Sequence, residues 1–152
     1  MESIEEALAQ QPLFSGLSAL PLLASCAHER QFDAGAYLLR EGRAADEFYL
    51  LREGRVALEV HVPARSPAIL LTLGRGEIVG LSWLAPPYRW SFDARAMQPT
   101  RALAIDARCL RGACETDPRL GYELSTRLLS MLVKRLHATR LQHLDLYGDP
   151  GA

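Results

Sequence analysis

A chain of 152 residues, 49% of them apolar and 23% charged, suits one globular domain with a real core. Its 17 basic and 18 acidic residues leave a formal charge of −1, and all but one of the basic residues are arginines scattered without a basic block. That balance argues against a nucleic-acid interface.

The N-terminus MESIEEALAQ is acidic and lacks a continuous apolar run, so neither a signal nor a transit peptide is expected, no later segment approaches a membrane span, and a cytoplasmic protein is predicted. Residues 2–10 carry helix formers, and Ser18 is placed to cap a second short helix through Leu22, Leu23 and Cys26, with Pro21 in its first turn. Together they predict an N-terminal helical segment over residues 1–30. Three cysteines, Cys26, Cys109 and Cys114, are odd in number and have no Cys-x-x-Cys spacing. Neither a disulfide framework nor a zinc site is expected, and the thiols are read as reduced.

From Gln31 the texture changes to short apolar runs at 37–39, 48–51, 56–62, 68–73, 78–79, 91–96 and 103–105. Turn signals such as Asp33-Ala34-Gly35, Glu53-Gly54 and Gly74-Arg75-Gly76 separate them. Seven or eight short strands at this spacing predict a sandwich or barrel of the jelly-roll kind over residues 31–106. The fold class is thus mainly β with flanking helices.

Residues 107–148 read as C-terminal helices, followed by a tail at 149–152. Asp117-Pro118 gives an N-cap followed by proline at the first helical position, and Gly121 is the only breaker before Gly148, which predicts a helix of roughly thirty residues. Leu124, Leu128 and Met131 lie on one face. Leu129, Leu132, Leu136, Thr139, His143 and Leu146 alternate spacings of three and four, the rhythm of a coiled-coil seam, and predict a homodimer. The alternative is a helix folded back on its own barrel.

The stretch QFDAGAYLLREGRAADEFYLLREGRVALEV, with PLFSGLS upstream at Pro12 to Ser18, resembles the first half of a cyclic-nucleotide-binding domain of the catabolite-activator-like kind. Gly35, Gly42, Gly54 and Gly80 carry the resemblance, each standing where a jelly roll needs positive φ or close backbone approach. It implies an eight-stranded jelly-roll barrel with a long dimerising C-terminal helix. It also implies that GEIVGLSWLAPPYRWSFDARA, Gly76 to Ala96, is the phosphate-binding cassette. In the family, N–H groups at the start of a short helix and a nearby arginine hold the cyclic phosphate, and a carboxylate after the glycine takes the ribose hydroxyl. Here Gly80, the N–H groups of Leu81, Ser82 and Trp83, and Arg89 are the candidates for the anion half.

This chain departs from the pattern in three ways. Leu81 stands where the family has the acid and cannot accept a hydrogen bond. Arg89 follows Gly80 more closely than usual, and Trp90 stands where a small residue is expected, with Ser91 one place later. Either the loop is rebuilt around Pro86-Pro87 or Arg89 is not the family arginine. The two tryptophans have two readings, stacking on a base or closing the barrel mouth.

The four histidines, His28, His61, His137 and His143, share no ligand spacing, so no metal or other cofactor is expected. Gly80-Leu81-Ser82-Trp83-Leu84 lacks the closing glycine of a nucleophile elbow. No coherent active site emerges, and no enzyme is predicted. No helix-turn-helix segment follows the dimer helix before the chain stops, so direct DNA binding is not expected. The sequence therefore predicts a stand-alone sensor or regulatory domain that binds a cyclic nucleotide or another small anion and reports through its C-terminal helix to a protein partner. The alternative is a ligand-free interaction module that kept the fold and lost the pocket.

Overall fold

In the computed structural model, which describes residues 2–146 with side chains through Arg140, the chain opens on helix α1 (Ile4–Ala9). The Ser3 hydroxyl accepts the Glu6 N–H and the Glu6 carboxylate accepts the Ser3 N–H, a reciprocal cap that fixes where this short helix starts. Helix α2 (Leu20–Ser25) carries Pro21 in its first turn, but its N-cap is Ala19 and not Ser18. The preceding turn does the capping instead: Leu20 N–H bonds Leu17 O and Leu23 N–H bonds Ala19 O.

Eight strands follow: β1 (Ala27–Phe32), β2 (Tyr37–Leu39), β3 (Glu47–Glu53), β4 (Val56–Val60), β5 (Ala68–Leu73), β6 (Ile78–Val79), β7 (Asp93–Ala96) and β8 (Thr100–Asp106). They do not close into the expected barrel. They form two four-stranded sheets, ordered β1-β8-β3-β6 and β2-β7-β4-β5, with every pairing antiparallel. Among the described residues no ladder joins the two sheets, whose edges are β1 and β6 in one and β2 and β5 in the other. β1 begins inside the stretch read as helical. Its residues His28 to Gln31 are all exposed, so no apolar alternation announces it, and its strand character comes from pairing with β8 along its whole length.

Register sorts the second sheet cleanly. Val56 pairs with Ala96 and Leu58 with Ala94 on the core face, while Ala57 with Arg95 and Glu59 with Asp93 lie on the other. Glu59 is 1% exposed and is held by Arg95 at 2.8 Å. In the first sheet Phe48 through Leu51 are all buried, so β3 is covered on both faces. The turn from β3 to β4 depends on Gly54, at φ +107°, where an added Cβ would lie 2.8 Å from both the Pro99 carbonyl oxygen and Thr100 Cα. Gly54→Ala should therefore destabilise the fold by at least about 2 kcal/mol, combining left-handed strain with a backbone clash. The check is the urea midpoint, and an unchanged midpoint would refute this account of the turn.

Helix α3 (Ala107–Thr116) starts where Asp106 Oδ1 accepts the N–H groups of Arg108 at 2.9 Å and Cys109 at 3.2 Å. Helix α4 (Pro118–Leu146) starts as the sequence indicates, with Asp117 Oδ1 accepting from Arg119 at 3.1 Å. At 29 residues it is about 43 Å long. No described helix is long and apolar enough to cross a membrane.

The expectation of reduced thiols is corrected at one pair: Cys26 and Cys109 form a disulfide, and Cys114 is free. Strand register explains why. Ala27 pairs with Ile105 and Asp106 N–H bonds Cys26 O, so the residue before β1 lies beside the first turn of α3. The two Cα atoms are 6.2 Å apart, within disulfide reach. Cysteines 83 positions apart give no such hint in the sequence.

Candidate functional site

β6 delivers the chain to Gly80, whose φ is +100°. Leu81 follows, then a single 3-10 turn, Ser82–Leu84, then Pro86 and Pro87 joined by a cis bond, and Tyr88 at φ +58°. The exit of this cassette is zipped onto residues 42–45. Ala45 N–H bonds Tyr88 O, Trp90 N–H bonds Arg43 O and Gly42 N–H bonds Trp90 O, at 2.7 to 2.9 Å.

This zipping fixes which side chain points inward. Arg89 is exposed, and its guanidinium donates to the Gly42 carbonyl at 2.8 Å. The Ser82 hydroxyl donates to the Arg89 carbonyl at 3.3 Å. The side chain beside Gly80 is Trp90, 6% exposed. A Cβ added at Gly80 would lie 2.7 Å from Trp90 Cη2 and 3.2 Å from Phe48 Cβ. The close approach that requires glycine here is made by the protein's own indole.

The remaining predicted residues divide. Trp83 is fully buried and stacks on Phe48 with ring centroids 4.6 Å apart. Its indole N–H finds no hydrogen-bond partner among the described residues. Ser91 is exposed. Leu81 is buried and lines a groove of about 200 Å³ with Leu84, Ala85, Leu128, Leu129 and Leu132, so the position that carries an acid in the family faces the C-terminal helix here. These residues do not fit a cyclic nucleotide in the family's usual manner. The sugar acceptor is missing, the arginine bonds a carbonyl, and an indole fills the space beside the glycine.

On α4, Leu120, Leu124 and Leu128 are buried and Met131 packs on the core. Leu129, Leu132, Val133 and Leu136 are between 43% and 62% exposed. Thr139 is half-buried and donates its hydroxyl to the Arg135 carbonyl. The side chains of His143 and Leu146 lie outside the described residues.

Three arginines that the motif reading passed over tie these helices to the rest. Arg111 on α3 donates to Trp83 O at 2.6 Å and Ala45 O at 3.0 Å, and its guanidinium lies 4.6 Å from the Tyr88 ring centre. Arg127 donates to Ser15 O at 2.7 Å and, at 3.2 Å each, to Pro12 O and Leu13 O. Arg135 donates to Ile78 O at 2.8 Å, on the strand that leads to Gly80, and burial lowers its pKa, against a nearby Glu77 that raises it. A guanidinium fork suits clusters of carbonyls. The signal in the sequence was the sixteen arginines against a single lysine.

A family model described as the cyclic nucleotide-binding domain matches residues 29–117, more than half of the chain. A protein from Geobacter metallireducens GS-15, described as a cyclic nucleotide-binding protein, is 30% identical, with a TM-score of 0.79 over 88% of this chain and 98% of its own. The N-terminal domain of a transcriptional regulator from Streptomyces coelicolor A3(2) is 25% identical, with a TM-score of 0.66 over 87% of this chain and 94% of its own. A cyclic nucleotide-binding domain from Methylobacillus flagellatus KT shares the fold at 23% identity, with a TM-score of 0.76 over 94% and 82% of the two chains. A comparison with curated protein sequences gives no match.

Proposed function

The chain belongs to the cyclic nucleotide-binding domain family, and we propose that it is a homodimeric regulatory module whose cassette is occupied by its own Trp90 and whose output surface is the exposed stripe of α4. The observation that carries this reading is the indole against Gly80, 2.7 Å from where a Cβ would stand. In this reading Leu81, Leu84 and the α4 leucines form one apolar surface, and the molecule acts through protein contacts and not as a cyclic-nucleotide receptor or an enzyme.

Isothermal calorimetry with cyclic AMP and cyclic GMP tests it. Loss of both the ribose carboxylate and a free phosphate arginine removes charge-assisted hydrogen bonds of about 1.5–3 kcal/mol each, or about two to four powers of ten in affinity against family members that carry both. Heat of binding at micromolar nucleotide would sink the reading. A second reading, sensing of a small anion, is favoured by the retained positive φ of Gly80 and the exposure of Arg89. It requires that Trp90 leave its place and that Arg89→Ala abolish whatever anion binding calorimetry finds.

A further inference from the structure

We propose that Cys26 and Cys109 are a redox-controlled latch, which ties the start of α3 to the end of α2 when oxidised and frees it when reduced. Neither the dimer reading nor the occupied cassette is needed for it. The pair closes at a structural junction. Cys26 is the C-cap of α2 and Cys109 stands in the first turn of α3, and α3 runs directly into α4. Two residues after Cys109, Arg111 reaches out to Trp83 and Ala45. The bond therefore anchors the turn from which the helical arm grips the cassette.

The pair is also reachable. Cys26 is 8% exposed and Cys109 is half-buried. Both line an open groove of about 410 Å³, together with His28, Asp46, Glu47 and Arg108, wide enough for a small thiol. Cys109 is the more exposed of the two, so its sulfur is the one a small thiol or disulfide meets first. The third cysteine is not part of the device. Cys114 is free, packs against the backbone position of Gly121, and burial raises its thiol pKa.

The chemistry is exchange with a low-molecular-weight thiol and its disulfide. In closing, the Cys109 thiolate attacks the small disulfide, forming a mixed disulfide and releasing one thiolate. The Cys26 thiolate then attacks the Cys109 sulfur and releases the second. Two protein thiols are oxidised, one small disulfide becomes two thiols, and the two protons go to the released thiolates. Opening is the same path reversed, with the small thiolate attacking the more exposed Cys109 sulfur and Cys26 leaving.

The test is to equilibrate the full chain in buffers of reduced and oxidised glutathione, alkylate, and count modified cysteines by mass. Amide hydrogen exchange is then measured on both forms. The expected result is three modified cysteines in the reduced buffer and one, Cys114, in the oxidised buffer. Removing the cross-link should make the amides of α3 exchange about tenfold faster or more. Cys109→Ser should exchange like the reduced form in either buffer, and the reduced unmutated chain gives the same readout should the variant not fold. A pair that stays alkylatable in oxidised glutathione would overturn the proposal. So would a bond that no glutathione buffer opens, or α3 exchange that is equal in the two forms.

Discussion

Trp90→Ala should lower stability by about 3–5 kcal/mol, the usual cost of emptying a large aromatic site in a core. The reason is local: the indole is 6% exposed, and it covers the Gly80 backbone on the side where a Cβ would stand 2.7 Å away. The cavity left behind is apolar on the Phe48 side, so free indole should bind there and return part of the lost melting temperature. Gly80 supplies the second arm. Gly80→Ala meets two penalties, a φ of +100° and the contact with Trp90, and should cost at least about 2 kcal/mol. In the Trp90→Ala background the clash with the indole is gone, and what survives is the backbone penalty and the 3.2 Å approach to Phe48 Cβ. The two substitutions should therefore couple, with the double variant more stable than the sum of the singles implies. Strict additivity would show that the indole is not beside Gly80, and with it would go the argument that the cassette is filled from within.

The same pair shows what the sequence could and could not carry. Gly80 was readable as a position needing positive φ or close backbone approach, and the structure has both there. The identity of the approaching group was not. It depends on whether Arg89 or Trp90 points inward, and that parity is set by hydrogen bonds between Tyr88, Trp90 and the distant segment 42–45. A one-residue shift in a strand exchanges the two faces. The disulfide failed to show for a similar reason, since only the pairing of Ala27 with Ile105 brings its ends together. β1 was hidden by its own composition, four exposed polar residues in a row. Where the information is local it was legible: the Asp117-Pro118 helix start, the turn glycines, and the division of α4 into a core-facing set at 124, 128 and 131 and an exposed set at 129, 132 and 136. Leu81 stands between the two cases. Its inability to hold a ribose was evident from its chemistry, whereas its place in a groove against α4 required the fold.

Leu132→Asp should convert dimer to monomer. Leu132 is 43% exposed and sits between Leu129 and Leu136, each 62% exposed, while the opposite stripe of α4 is taken up by its own sandwich. A solitary exposed leucine means little, but four large apolar side chains within eight residues of one helix, continuous with the groove that Leu81 and Leu84 line, form the kind of face that a second copy covers. Because Leu132 is partly solvated in the single chain, aspartate there should change the stability of the monomer by no more than about 0.5 kcal/mol. Across a two-fold seam the change occurs twice. Each copy loses the burial of a leucine, about 1.5–3 kcal/mol, and adds a carboxylate facing its twin without a partner. The dimer should weaken by at least two powers of ten, since about 3 kcal/mol is the smaller of the combined losses. Sedimentation equilibrium at micromolar protein reads the association, and a melting curve on the monomeric variant reads the fold. Dissociation with an unchanged melting curve is the expected pair of results. If the unmutated chain sediments as a monomer, the exposed stripe of α4 is not a homodimer seam.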